Sequence, residues 1–331
     1  MAPAAQVGAA VTRVIAVFGL WLSLAGATAE AQQRFALIVS GASGGAEYVE
    51  QYAAWTGNFE RTLTERLKFD PSKITILSDT EKAEAAATGA NVRKAIGAVR
   101  ARMTRDDVLL VLLIGHGTFD GVDAKFNLVG PDLESSEWAA LLNPLAGQVV
   151  VVNTTAGSFP FIERLSGPRR IVISATDSVA QRFDTVFPEY FVKAFDDAGA
   201  DLDKNARVSI WEAFASASAA VKRHYQQRGQ LSTERALLDD NGDGTGRGAA
   251  EQGSDGSLAT HTYLDENTPG AAPTDEELLA LLQRKALVEA ELDELKIRKA
   301  FLQKNEYDKE FERIIIELSR VSSDIRKRSK T

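Results

Sequence analysis

Residues 108–117 read VLLVLLI followed by Gly115-His116-Gly117. An unbroken apolar run from Val108 to Ile114 suits a strand covered on both faces of a parallel sheet, because each face must be apolar. The break into small and polar residues marks the strand's carboxyl end. Working outward, Phe35–Ser40 (FALIVS) runs into the turn GASGG at residues 41–45, and Ile74–Leu77 is a second short strand. Val149–Val152 runs into Asn153-Thr154-Thr155, and Ile171–Ser174 is a fifth strand. Helical spacing fills the intervals. Trp55, Phe59, Leu63 and Leu67 share one face, and Val92 to Met103 is amphipathic. Further helices are expected over 188–196 and 209–227. Alternating strands and helices predict an α/β domain with a mostly parallel sheet. Ligands gather beyond the carboxyl ends of such strands, so GASGG, GHG and NTTAG outline one rim.

The chain's 331 residues allow one large domain or two smaller ones. Its formal charge of −8 argues against general nucleic-acid binding, which needs a basic surface. The absence of cysteine excludes disulfides, thiolate metal sites and a cysteine nucleophile. Only His116, His224 and His261 are present, which disfavours a three-histidine metal site.

Residues 1–31 have the layout of a cleavable export signal. Arg13 precedes the apolar stretch VIAVFGLWLSLAGA, and small residues follow in Ala27-Thr28-Ala29 or Ala29-Glu30-Ala31. The apolar stretch is shorter than the ~20 residues that span a bilayer. The expected compartment is the periplasm or the exterior.

Residues 32–238 then form the α/β domain, and 239–273 read as a Gly/Asp-rich linker. Within it, Asp239, Asn241 and Asp243 fall at positions 1, 3 and 5 of a calcium-loop pattern, with Gly244 at position 6. Ca²⁺ is therefore the one cofactor considered. The closing acid is out of place, since position 12 is Ala250 and Glu251 is one late. Residues 274–331 read as a helical hairpin or coiled-coil pair opened by a Thr274-Asp275-Glu276-Glu277 capping box. Leu281, Val288, Leu295 and Leu302 recur every seven residues, as do Phe311, Leu318 and Ile325. Self-association through this segment is one expectation; packing on its own domain is the other. The basic cluster Arg326-Lys327-Arg328, with Lys330, suits a helix C-terminus.

The ordered set FALIVSGASGG, KITILSD, VLLVLLIGHGTFDG, VVVVNTTAGSF and RIVISATDS resembles the legumain-like branch of the caspase-fold cysteine peptidases, from about Phe35 to Asp240. Bacterial exported homologues of that branch continue into stretches like RVSIWEAFASA and TERALLDDNGDG and a C-terminal helical segment. The resemblance implies a caspase-like, mostly parallel sheet flanked by helices. It also implies that His116-Gly117 holds the position of the general base and an oxyanion-hole amide. The nucleophile position falls on Thr155, or on Thr154 if the register shifts by one. A thiol has a reference pKa near ~8.5 and can be driven lower, whereas a threonine hydroxyl stays protonated at neutral pH. Mid-chain Thr155 also lacks the N-terminal amine that activates threonine nucleophiles. Asp120 and Asp177 are the candidates for an acid that orients the histidine. The family's basic specificity residue has no counterpart in Gly45-Ala46-Glu47-Tyr48-Val49-Glu50.

Three functions follow as expectations. The first is a catalytically inactive peptidase homologue that binds a peptide or protein. The second is a hydrolase using His116 with Thr155. The third is a structural subunit assembling through the C-terminal helices. Ser158 is expected to cap a helix from Phe159. GASGG lacks the GK[ST] ending and the GxGxxG spacing of phosphate loops.

Overall fold

A computed structural model describes residues 32–82, 84–251, 253–266, 276–299 and 301–328. The export-signal stretch, residues 267–273 of the linker, and Thr274 and Asp275 lie outside the described residues. No helix among the described residues is long and apolar enough to cross a membrane.

The chain order is β1 (Arg34–Ser40), α1 (Ala46–Arg61), β2 (Ile74–Leu77), α2 (Gly89–Arg100) and β3 (Val108–Ile114). A small excursion follows: β4 (Gly117–Phe119), β5 (Ala124–Phe126), β6 (Leu133–Glu134) and α3 (Ser135–Leu142). Then come β7 (Gln148–Asn153), α4 (Phe161–Leu165), β8 (Arg170–Ser174), α5 (Phe187–Ala194), α6 (Ile210–Gln227), β9 (Leu237–Asp239) and α7 (Ser257–Thr260). The hairpin is α8 (Glu276–Arg298) and α9 (Lys304–Arg328).

The main sheet has the order β2-β1-β3-β7-β8-β9, parallel except for the antiparallel edge strand β9. Its register sets Ile38 beside Leu112 and Leu113 beside Asn153. Alternate residues face opposite sides, as strand geometry requires. Ala36, Ile38, Leu110, Leu112, Val150 and Val152 meet α1, α5 and α6 on one side. Leu37, Val39, Leu109, Val111, Leu113 and Val151 meet α2, α3 and α4 on the other. Burial on both faces is the physical reason the strands read as continuous apolar runs. The structure is thus the expected α/β fold, a mostly parallel sheet flanked by helices with a C-terminal helical hairpin. The three-residue strand β9 and the antiparallel sheet β4-β5-β6 are additions that the sequence reading did not contain.

One expectation changes. The composition of 239–273 predicts a linker, yet residues 239–266 pack into the domain: Asp239, Asp240, Asp255, Ala259 and Leu264 are all buried. Asp240 accepts hydrogen bonds from the backbone N–H groups of Gly256 (2.8 Å) and Ala259 (2.7 Å) at the start of α7. Polar residues here satisfy buried backbone instead of solvating a loose chain. Burial is the main reason the Asp240 carboxyl is pushed up to about 6. For the hairpin, the described residues show the second of the two expectations, packing on its own domain. Val288 and Leu295 pack against Ile314 inside the hairpin, while Leu278, Leu279, Leu282, Val321 and Ile325 join the domain core. The seam that could have served a second chain is used largely within this one.

Leu282 is fully buried where the hairpin meets the domain. Leu282→Ala is expected to lower unfolding stability by roughly 2–5 kcal/mol, read from the shift of a urea transition. An unshifted midpoint would show that the hairpin does not dock.

Candidate functional site

The rim at the strand ends is built by close backbone contacts. Gly41 donates its N–H to the Ile114 carbonyl (2.9 Å), and Ala42 donates to the Asn127 carbonyl (3.1 Å). A Cβ at Gly41 would lie 2.2 Å from that Asn127 oxygen, so only glycine fits. Gly115, at φ +147, turns the chain out of β3 and presents His116. GASGG, GHG and the loop after β7 therefore converge on one place.

His116 sits among oxygen partners. Its Nε2 lies 3.1 Å from the Ser43 carbonyl and 3.2 Å from the Tyr52 hydroxyl. Its Nδ1 lies 3.4 Å from an Asp184 carboxylate oxygen. The Tyr48 ring meets the imidazole edge-on at 4.7 Å between centroids, and the Tyr48 hydroxyl donates to Asp184. That hydrogen bond to a carboxylate raises the Tyr48 pKa.

Asp184 is the acid beside His116, in place of the candidates Asp120 and Asp177. Asp120 accepts from the N–H groups of Val122 and Asp123 and pairs with Lys125. Those backbone bonds hold its carboxyl down at about 2. Asp177 pairs with Arg235 at 3.3 Å. The loop carrying Asp184 is fastened on both flanks. The Thr185 hydroxyl donates to the Thr154 carbonyl, and Glu234 accepts from the N–H groups of Val186 (2.8 Å) and Phe187 (3.0 Å). Burial pushes the Glu234 carboxyl up, although the Tyr225 hydroxyl also donates to it at 2.6 Å.

Neither threonine is placed as a nucleophile. The Thr154 hydroxyl donates to the Leu113 carbonyl at 2.7 Å and is fully buried. Thr155 is also fully buried, and its hydroxyl has no hydrogen-bond partner, so it does not engage His116. A Cβ built on Gly117 would lie 2.3 Å from that hydroxyl oxygen. Thr155 therefore fills the space under Gly117. Ser158 does not cap a helix from Phe159. Its hydroxyl accepts from the Ala175 N–H (3.0 Å) and meets the Thr176 hydroxyl at 3.1 Å, tying the ends of β7 and β8 together. The helix begins later, at Phe161.

In front of His116 is a cavity of about 50 Å³, bordered by Gln51, Tyr52, Trp55, Gly117, Ala156 and Arg182. Thr155 does not line it. Pockets for whole small molecules run to roughly 300–1,000 Å³, so this one takes the tip of a side chain. Sequence reasoning missed Asp184, Tyr48 and Arg182. The available signal was the four-residue spacing of Tyr48 and Tyr52 on α1, just past the glycine turn.

Of the residues read as a calcium loop, Asp239 and Asp243 come together with Asp255, their carboxylate oxygens within 4.8 Å of one another. Asn241 donates its amide to Asp243 (3.2 Å) and Ser254 (2.7 Å). Asp239 accepts from the N–H groups of Gly242 and Gly244. Arg247 pairs with both Asp255 and Asp243, which puts a guanidinium where an ion's charge would act. Glu251 pairs with Arg235.

No protein-family model matches the chain, and no curated protein matches it. Among solved structures, a protein from Geobacter sulfurreducens is 15% identical, covering 62% of this chain and 92% of its own, with a TM-score of 0.43. The Drosophila initiator caspase Dronc is 14% identical, covering 63% of this chain and 80% of its own, with a TM-score of 0.42.

An orphaned buried hydroxyl costs about 1–3 kcal/mol. Thr155→Val is therefore expected to raise unfolding stability by about 1 kcal/mol, whereas Gly117→Ala should lower it by roughly 1–3 kcal/mol through overpacking. Chemical denaturation checks both. A destabilised Thr155→Val would mean that the hydroxyl has a partner.

Proposed function

We propose that this chain is an exported, catalytically inactive relative of the caspase-fold peptidases that holds a peptide or protein segment at its strand-end rim. The carrying observation is Thr155: its hydroxyl is buried, lacks a partner and lies outside the cavity at His116. An attacking group must reach both its base and its substrate, and this one reaches neither. Groups suited to recognition line the rim. The guanidinium of Arg182 offers donors, and Tyr48, Tyr52 and Trp55 offer aromatic faces beside a cavity sized for one side-chain tip. Such a surface suits an extended polypeptide anchored by one polar side chain.

The alternative, a hydrolase in which His116 activates Thr155, draws on one observation. Asp184 stands 3.4 Å from Nδ1, where an orienting acid belongs in a base–acid pair. The two readings separate in one experiment. The protein without residues 1–31 is incubated with mixed peptide libraries and a hydroxyl-directed phosphonate probe. We expect no cleavage and no labelling, together with retention of a subset of peptides. Arg182→Ala should weaken that retention at least fivefold. Turnover abolished by both His116→Ala and Thr155→Ala would establish the hydrolase instead.

A further inference from the structure

A second acidic cluster lies far from the rim in sequence, in residues 201–212, DLDKNARVSIWE. Asp201, Asp203 and Glu212 bring carboxylate oxygens within 4.8 Å of one another. Glu212 is 1% exposed and Asp203 is 5% exposed, so two like charges are held almost out of water. Buried carboxylates are tolerated when they are paired or when they coordinate a metal.

No cation of the described chain lies within ion-pair distance of them, and the buried Lys285 ammonium acts on Glu212 and Asp201 only from further off. Arg207, the arginine within the loop, turns away. It forms a hydrogen-bonded pair with Asp265 (Nε to Oδ2, 2.7 Å) and lies 3.8 Å over the Tyr263 ring. Lys204 donates to the Ala198 carbonyl (3.3 Å), and Lys285 donates to the Leu202 carbonyl (2.9 Å). The partners Glu212 does have are neutral: the N–H groups of Leu202, Asp203 and Ser209, and the Ser209 hydroxyl. They orient the carboxylate without cancelling its charge. Asp203 is likewise bonded only to neutral Asn205 and lies against the Asp201 carboxylate. The loop at 239–255 shows the contrast, because there Arg247 supplies the positive charge.

The spacing supplies the chemical class of cation that these acids suit. Counting Asp201 as position 1, the acids and amide Asp203 and Asn205 fall at 3 and 5. Ser209 is at 9 and Glu212 at 12. This is the order in which a twelve-residue calcium loop presents its oxygens, with the backbone carbonyl of position 7 (Arg207) completing it. Position 6 normally needs glycine for a sharp turn, and Ala206 adopts that left-handed turn at φ +67. The exiting helix is α6, capped by Ser209.

We propose that residues 201–212 form a calcium site, with the side chains of Asp201, Asp203, Asn205 and Glu212 and the Arg207 carbonyl as ligands. An all-oxygen set with a bidentate closing acid suits Ca²⁺. Mg²⁺ keeps most of its waters and demands a tighter octahedron. The site is separate from the rim, and nothing in this proposal depends on the peptide-holding reading.

The test uses the full chain without residues 1–31, stripped with EDTA. Calcium and magnesium are titrated by calorimetry. Terbium is titrated in parallel, with emission sensitised through Trp211 beside Glu212. Calcium is expected to bind at about 1 mM or tighter, to displace terbium, and to raise the thermal midpoint. Asp201→Asn and Glu212→Gln should each weaken calcium at least tenfold, while Asp243→Ala in the other acidic loop should leave it unchanged. Asp201 is only partly buried, so Asp201→Asn carries the test if Glu212→Gln fails to fold by circular dichroism. No calcium heat and no terbium emission at millimolar metal would overturn the proposal. So would unweakened binding by a folded Asp201→Asn variant, or uptake that only Asp243→Ala removes.

Discussion

The contact between Gly117 and Thr155 is the constraint on which the rim depends. Thr155 occupies the volume that any side chain at 117 would need, and Gly157 approaches the same backbone closely. The ends of β3 and β7 are thereby locked together with a hydroxyl sealed between them. The same packing leaves His116 outside, with its ring nitrogens on Ser43, Tyr52 and Asp184. Burial thus keeps the Thr155 hydroxyl apart from the His116 imidazole.

The two acid-rich loops show how one composition leads to different electrostatics. Both concentrate carboxylates, and both bury at least two of them. What differs is the direction taken by one arginine. Arg247 folds back onto its own acids, whereas Arg207 is drawn outward by Asp265 and the face of Tyr263. An arginine drawn elsewhere by a distant residue decides whether a cluster contains its own ion pair, and local spacing alone does not contain that information.

The sheet was legible for a specific reason. The runs Val108–Ile114 and Val149–Val152 are apolar on both faces because helices cover both faces. The edge strand β9 is only three residues long and antiparallel, so it leaves little periodic signal. At the site, His116 and the glycines around it could be placed from the strand ends. Asp184 could not, since it sits in an irregular loop held by Glu234 and Thr185, whose partners are remote in sequence. Asp120 is closer to His116 along the chain but is already committed to its own turn and to Lys125. The oxygen pattern at 201–212 was present in the sequence. Ala206 in place of glycine and the start of a strong helix at Ile210 concealed it.

Glu234 holds the amides of Val186 and Phe187 from 48 positions further along the chain than Val186. A nascent polypeptide emerges in order, so the far flank of the loop carrying Asp184 is fastened only after the segment just before β9 has been synthesised. A product truncated ahead of that residue would still contain the parallel strands, the histidine and the sealed threonine. It would lack this second latch, so completion of the rim is deferred until nearly the whole α/β body has left the ribosome.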